Sequence, residues 1–470
     1  MQNLYSKTRY RLKHNSKLSP PITQNIGVNQ GGNASPLLFR KYMADLVKYL
    51  HKHTGVCISQ DILMHLLWAD DLILVSSTLA GLQKQLDGLH QFCANNQMIV
   101  NELKTKFMVF GMEEHVQLTF KGKDIEQVNE YKYLGNIFNA VSRATGDTFR
   151  SNHEYLCTKA RQAIFSLQKK ARHAGTLPPQ CLIYLYQSLV QPILLYGSEV
   201  WGANAKAAAS IDKILLWYLR IILHVKATTS NLITIGECGV IPPSVLSHIS
   251  VLTYFIRLRH MPDTSITKVV FDEMERLHGL GFETWYTRVW KLAESYNIDL
   301  HDTEINDNKK VIKQRLVNCF KDRWRHQIHD TTNNPILRTY CRIKEDFHIE
   351  KYLVAVKNPK YRIAIAKIRA SSHTLEVERG RYTNPKTPLT DRVCTVCNEV
   401  EDEEHFLVNC SRYTDERLEL TNKILSAHSG YNTLNSQEKF LFLMKNQDPR
   451  ILSWTGKFIH KCFLKYNIKT

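Results

Sequence analysis

The chain has 470 residues, with 62 Lys plus Arg against 44 Asp plus Glu, for a formal charge of +18. That excess points to a polyanionic partner, nucleic acid before an anionic membrane, against the plainer alternative of a generally basic surface. Hydrophobic residues at 43% and charged residues at 23% fit a soluble globular protein, and the length calls for two to four domains.

In chain order, "MQNLYSKTRYRLK" has charge but no apolar run behind it, so it is not a signal peptide. "KTRYRLKHNSK" places five Lys or Arg in eleven residues. From Gly27 to Leu46, "GVNQGGNASPLLFRKYMADL" reads as a Gly-rich polar turn leading into a helix. Ser35 is the predicted cap there and Pro36 the first helical position. "LLWADDLILVS", Leu66 to Ser76, sets Asp70 and Asp71 inside an apolar run, and the flanking segments predict a buried hairpin. Leu79, Leu82, Leu86, Leu89, Phe92 and Cys93 have helical spacing. "FMVFG" and "VQLTFKGKDIEQV" return to strand, with "KGKD" as the turn.

After Arg150 the pattern is mainly helical. "CLIYLYQSLVQPILLYG" reads as a buried helix ending near Pro192 and not as a membrane span. Polar breaks at "DTEINDNKK", "HDTTNNP" and "YTNPKTPLTDR" are expected linkers or loops. Cys57, Cys93, Cys157, Cys181, Cys238, Cys319, Cys341 and Cys462 are scattered singly, as reduced and mostly buried thiols of an intracellular protein would be. No signal peptide or membrane span is expected, and a nuclear or cytoplasmic location is.

The two acids carry the first chemical signal. Ionised carboxylates are costly to bury unpaired, and adjacent strand residues point to opposite faces. One can face a shared site while the other supports it or reaches a second metal. Hard cations such as Mg²⁺ prefer such oxygen ligands. Taken alone, "ADD" reads more readily as an ordinary turn, where Asp is common.

The ordered set "GVNQGGNASPLLF", "WADD", "KTK", "YLG", "LLYGSEVWG" with "GECGVIPP", and "CTVCNEVEDEEHFLVNC" resembles the reverse transcriptases of non-LTR (LINE-type) retrotransposons over nearly the whole chain. The resemblance implies an α+β fold: an incomplete right-hand polymerase palm, then a mainly helical thumb and C-terminal region with a small zinc-binding module. It implies a partial palm at 1–145, a thumb-like region at 146–250, a helical connection at 251–382, a CCHC knuckle at 383–425 and a helical end at 426–470. Asp70 and Asp71 match the Mg²⁺-binding acids. Gln30, Gly31, Ser35 and Pro36 match the template and nucleotide side. Lys104 matches a Lys near the triphosphate, and Tyr133, Leu134 and Gly135 the turn that grips the primer end. The implied partners are an RNA template and a DNA primer or target.

Three residues depart from the family pattern: Asn29 stands for an Arg, Gly32 for a Cys, and the aromatic before Ala-Asp-Asp is Trp68. The resemblance also implies a third carboxylate several tens of residues before the glycine box. Only 26 residues precede Gly27, without Asp or Glu. The expectation is a C-terminal part of a longer polyprotein, or a truncated copy, whose site is incomplete in this chain. Its standing as an enzyme is open on the sequence. The alternative is a non-catalytic protein that holds nucleic acid with the thumb-like helices and the knuckle.

Cys394, Cys397, His405 and Cys410 form C-x2-C-x7-H-x4-C. Spacing and resemblance together predict the four ligands of a structural Zn²⁺ site. The acids of "EDEEHFLVNC" are expected at a helix start, leaving Arg379, Arg381, Arg392 and Arg412 as the phosphate-contacting residues nearby. "FKDRWRHQIH", with Phe320, Lys321, Arg323, Trp324 and Arg325, mixes cations with aromatics. "PKYRIAIAKIRAS" has a Tyr361, Ile365 and Ile368 stripe edged by Lys360, Lys367, Arg362 and Arg369. Such edges can track phosphates, though more often they are a solvated rim.

Overall fold

The computed structural model describes residues 9–467 apart from 24–26, 112–114, 141–147, 174, 176 and 302–308. Short strands precede a long helical stretch, an α+β chain. It divides into two compact units. The first holds the described residues up to Tyr131; the second holds Lys132–Asn139 and the described residues from Thr148 onward.

In the first unit, β1 (Arg9–Tyr10) pairs with β4 (Ile22–Thr23), and β2 (Lys13–His14) with β3 (Lys17–Leu18). Helix α1 (Ser35–Met43) begins with Pro36 in its first turn, but Ser35 does not cap it. The Ser35 hydroxyl turns back to donate to the Asn29 carbonyl, which leaves Ala34 at the cap position. β5 (Val56–Ile58) and β6 (Asp61–Leu63) form a hairpin, as do β7 (His65–Trp68) and β8 (Asp71–Leu74). Helix α2 (Leu79–Asn95) starts where the Thr78 hydroxyl accepts from the Gly81 amide. β9 (Lys106–Phe107) runs parallel to β12 (Glu126–Gln127), and β10 (Thr119–Phe120) and β11 (Lys123–Asp124) make the hairpin predicted around "KGKD". Leu46, Leu86, Phe92, Phe107 and Phe120 belong to the core.

Among the described residues every sheet is two-stranded. That corrects the expectation of a buried hairpin: Leu66 is 42% and Trp68 68% exposed. The apolar residues of β7 and β8 alternate, so Leu67, Leu72 and Leu74 pack on the core while the opposite face meets solvent.

β13 (Glu130–Tyr133) and β14 (Asn136–Asn139) form the hairpin through which the chain enters the second unit. Helices α3 (Asn152–His173), α4 (Pro179–Leu189), α5 (Ala205–Leu223), α6 (Asn231–Cys238), α7 (Pro243–Arg259), α8 (Ile266–Gly279), α9 (Trp285–Ser295) and α10 (Lys309–His329) follow. α11 (Pro359–Arg369), α12 (Thr414–Leu425), α13 (Ser436–Lys445) and α14 (Pro449–Asn467) complete it, with shorter turns between. The helix predicted there is α4, which stops at Leu189 with Pro192 opening a separate turn; it is buried on one face only, through Ile183 and Tyr186, while Tyr184 and Leu189 are exposed. The expected break at "DTEINDNKK" falls mostly on residues outside those described, whereas "HDTTNNP" and "YTNPKTPLTDR" are loops.

Two cores fill this unit. At the heart of the larger one, Arg369 donates from Nε and Nη2 to Glu237 at 2.9 Å each, and its Nη2 lies 3.0 Å from Glu350. Tyr352 donates to Glu237 at 2.8 Å, and Lys344 pairs with Glu350. Burial opposes the Arg369 charge, but the two carboxylates outweigh it and hold the guanidinium above its ordinary range. Arg369 is therefore an interior ion-pair partner and not a phosphate-tracking edge. Trp324 is likewise buried and donates to the Leu232 carbonyl at 2.9 Å, so the aromatic of "FKDRWRHQIH" belongs to the core, while Arg323 and Arg325 stay exposed. Cys57 and Cys181 are exposed, unlike the buried Cys93, Cys157, Cys238 and Cys462. Among the described residues no single helix is long and apolar enough to cross a membrane.

Candidate functional site

The acids sit at the tip of the β7–β8 hairpin. Trp68 and Asp71 are its last facing pair; Ala69, with φ of 54°, and Asp70 make the bend. Both carboxylates are exposed, and among the described residues neither makes an ion pair or hydrogen bond. This leaves four oxygens free for a cation or solvent.

Gln30 and Gly31 are exposed in the turn before α1. Gly31 has φ of 84° with open space around it, so backbone sign and not crowding asks for glycine there. Gly32, in place of the family's Cys, fills a tighter spot: an added Cβ would come within 2.9 Å of Ser35 Oγ and 3.3 Å of the Asn29 carbonyl. Lys104 has an exposed side chain on a turn whose amide bonds to Asn101, and its carbonyl accepts from Tyr131 at 3.0 Å.

Tyr133, Leu134 and Gly135 form the turn of the β13–β14 hairpin, with Leu134 at φ of 46° and Gly135 at 84°. Sequence reasoning missed its buttress. Tyr196 donates to the Leu134 carbonyl at 2.7 Å, and its ring lies where a Cβ on Gly135 would be, 2.8 Å away. Gly197 is left-handed, and a Cβ there would press within 2.7 Å of the Asn136 side chain. The "YLG" and "LLYG" segments thus fold as one piece.

The four predicted metal ligands converge, their donor atoms all within 4.8 Å of one another. The Val393–Val400 bridge and the Asn398 amide to the Cys394 carbonyl fold the C-x2-C turn. Cys410 Sγ lies 3.8 Å from Cys394 Sγ and 3.9 Å from Cys397 Sγ. A tetrahedral ion with metal–sulfur bonds of about 2.3 Å has edges of roughly 3.8 Å. His405 holds its Nδ1 3.0 Å from Glu399, while its buried Nε2 has no hydrogen-bond partner. A carboxylate on one ring nitrogen, with the other free toward three thiols, is the outer support that metal-bound histidines use. Without a metal, burial pushes the Cys410 thiol up to about 12, whereas bonding to Ser411 lowers Cys397. The cluster can hold a metal ion.

The acids of "EDEEHFLVNC" stand at a helix start, as expected, with Asp402 accepting from the His405 amide at 2.8 Å, but they face inward as well. Glu403 is buried and accepts from Arg338 at 2.7 Å and Thr339 at 3.0 Å, with His373 Nε2 at 3.0 Å. Burial raises its pKa, but the bond to His373 and the charge of Arg338 win and hold it well below the carboxylate range. Arg381 pairs with Glu378, Arg392 is spent on the Thr387 and Val377 carbonyls, and Arg412 bonds Thr395. Of the four expected phosphate contacts, Arg379 is the most exposed, and it too pairs with Glu376.

A strongly basic α+β chain with unpartnered carboxylates on a hairpin tip and a Cys/His cluster fit for a metal is compatible with the broad class of nucleic-acid-handling proteins. Residues 2–138 match the family described as reverse transcriptase (RNA-dependent DNA polymerase). The chain is 24% identical over 231 residues to the retrovirus-related Pol polyprotein from type-2 retrotransposable element R2DM of Drosophila melanogaster, covering 47% of this chain and 21% of the relative. It is 26% identical over 220 residues to the RNA-directed DNA polymerase from mobile element jockey of the same fly, covering 41% and 22%. It is 28% identical over 182 residues to the Pol polyprotein from type-1 retrotransposable element R2 of Nasonia vitripennis, covering 35% and 18%. Residues 2–138 thus match the reverse-transcriptase family, and the relatives that the chain resembles are proteins of non-LTR retrotransposons. The chain spans about a fifth of the length of these relatives.

Proposed function

We propose that this chain is the part of an RNA-directed DNA polymerase that supplies two of the palm carboxylates, the primer-gripping turn and a helical thumb. The observation that carries this reading is the hairpin tip, where Asp70 and Asp71 stand exposed and unpartnered. In this role Asp70 and Asp71 hold Mg²⁺, which would stabilise charge on the transferring phosphoryl group. Gln30, Gly31, Ser35 and Pro36 border the template and nucleotide, Lys104 meets the triphosphate, and Tyr133 to Gly135 hold the primer end. Basic α3 supports the thumb assignment. Lys159, Arg161, Lys169, Lys170 and Arg172 are exposed and make no ion pair among the described residues, and Glu154 is the sole acid on the helix.

Zinc is the metal proposed for Cys394, Cys397, His405 Nε2 and Cys410, because three thiols and an imidazole suit it. Its chemistry there is structural: all four protein positions are filled and none is left open for a substrate. The intact chain is expected to carry about one zinc, and Cys397→Ser to lose it; zinc retained by that variant at wild-type affinity would sink the assignment.

Catalysis is tested by extension of an RNA-templated DNA primer with Mg²⁺ or Mn²⁺. The assay runs the 470-residue chain beside a version lengthened upstream, and in whichever of them synthesises DNA, Asp70→Ala is expected to lower extension by several orders of magnitude, since loss of a metal ligand removes transition-state charge stabilisation. Synthesis that survives Asp70→Ala would refute the proposed metal-holding role. The second reading, a non-catalytic binder of RNA or DNA, is favoured by one observation: among the described residues no third strand flanks β7–β8. Failure of the lengthened version, with tight binding retained, would select it.

A further inference from the structure

The β-ribbon of the first unit has a use that neither the hairpin tip nor the Cys/His cluster absorbs. Arg9 faces Thr23, Tyr10 faces Ile22, Lys13 faces Leu18 and His14 faces Lys17. Between these pairs one strand has two residues and the other three; the bulge is closed by the Ser19 amide to the Leu12 carbonyl and the Leu12 amide to Ser19 Oγ. Asn15 and Ser16, at φ of 45° and 65°, make the tight turn. Side chains alternate along the first strand, so Arg9, Arg11 and Lys13 share one face and Tyr10 and Leu12 the other. The three cations repeat about every 6.7 Å along an extended strand.

All three are exposed, and none has an ion-pair partner among the described residues. No Asp or Glu occurs before Asp45 in the sequence. The cluster of Lys423, Lys457 and Lys461 differs: all three gather around Glu419. The ribbon is also fastened in place, because Tyr10 donates to the Asn29 side chain, next to Gln30 of the glycine turn.

We propose that the Arg9–Arg11–Lys13 face lies along the phosphate backbone of a nucleic-acid strand, without regard to base sequence. This rests on the nucleic-acid reading above and names one surface that serves it. A regular row of unpaired cations on a paired ribbon can neutralise successive phosphates, and each such contact on a single strand contributes about 0.7 to the salt dependence of binding.

The test is binding of the full chain to a mixed-sequence single-stranded RNA across a salt series. Arg9→Gln/Arg11→Gln/Lys13→Gln is expected to lower the slope of log affinity against log salt by about two. Arg9→Lys/Arg11→Lys should keep the slope, because it keeps the charge. Lys423→Gln/Lys457→Gln/Lys461→Gln, which removes as much charge from an ion-paired cluster, should change it far less. In parallel, acetylation of the wild-type chain should show Lys13 protected by the RNA, a readout that needs no variant to fold. A wild-type slope retained by the ribbon variant, or Lys13 left unprotected, would overturn the proposal and leave the nucleic-acid reading standing. Salt-independent binding by the wild type, or none at low salt, would overturn both.

Discussion

His405 shows what a single residue reveals and what it hides. Its spacing from three cysteines is readable in the sequence, because metal ligands are few and their separations short. Its partner Glu399 is not, since nothing in a charge-rich loop says which acid will turn onto the ring. The carboxylate accepts the Nδ1 proton and so leaves Nε2 as the nitrogen facing the thiols. Glu399→Gln keeps an acceptor but removes its charge. Metal affinity of the whole chain, read by competition with a chelator, is expected to fall by roughly ten-fold or more. An unchanged affinity would show that Glu399 does not orient the ligand. The same limit applies to Tyr196, whose pairing with Gly135 joins residues far apart in the chain.

At the scale of elements, local rules explain most of what was legible. Alternation and a "KGKD" turn give the β10–β11 hairpin, and the apolar repeat with Thr78 gives α2. What they cannot give is the company an element keeps: the β7–β8 hairpin reads as buried from composition, yet one face is open. Helix α7 supplies another case. Asp212 on α5 accepts from the Ser244 amide at 2.9 Å and hydroxyl at 2.6 Å, capping α7 from outside. Burial pushes this carboxyl up to about 6, against the lowering effect of those two bonds. A raised folded value means that the native state holds the proton more tightly than the unfolded chain. Its contribution is therefore full below pH 3.8 and is lost as pH rises through about 6. Asp212→Asn removes that dependence while keeping an acceptor. The variant's stability relative to wild type should improve by up to about 3 kcal/mol between pH 4 and pH 7, measured by urea unfolding. A relative stability that stays flat across that window would mean the carboxyl titrates normally.

At the scale of the molecule, the Cys/His cluster is not a detachable knuckle. Cys394, Cys410 and Phe406 belong to the main core of the second unit, together with residues from α5, α11 and α14. The loop that leads to His405 is tied inward by Glu403 to Arg338 and His373, and by Glu404 to Arg342 at 2.8 Å. Tyr466 on α14 donates to buried Glu401 at 3.0 Å. If metal binding fixes this loop, its free energy supports the fold well beyond the four ligands, because unpairing a buried charge such as Glu403 costs several kcal/mol. Chelation of the intact chain should therefore speed hydrogen exchange around residues 335–343 and 371–378, and in α14, as well as at the cluster. The first unit, whose core is a separate set of residues, should exchange as before. Exchange that quickens only at 393–411 would show instead that the cluster folds and unfolds on its own. Reloading with zinc should restore the protection if the effect is reversible binding, whereas oxidation of the freed thiols to a disulfide would leave it lost.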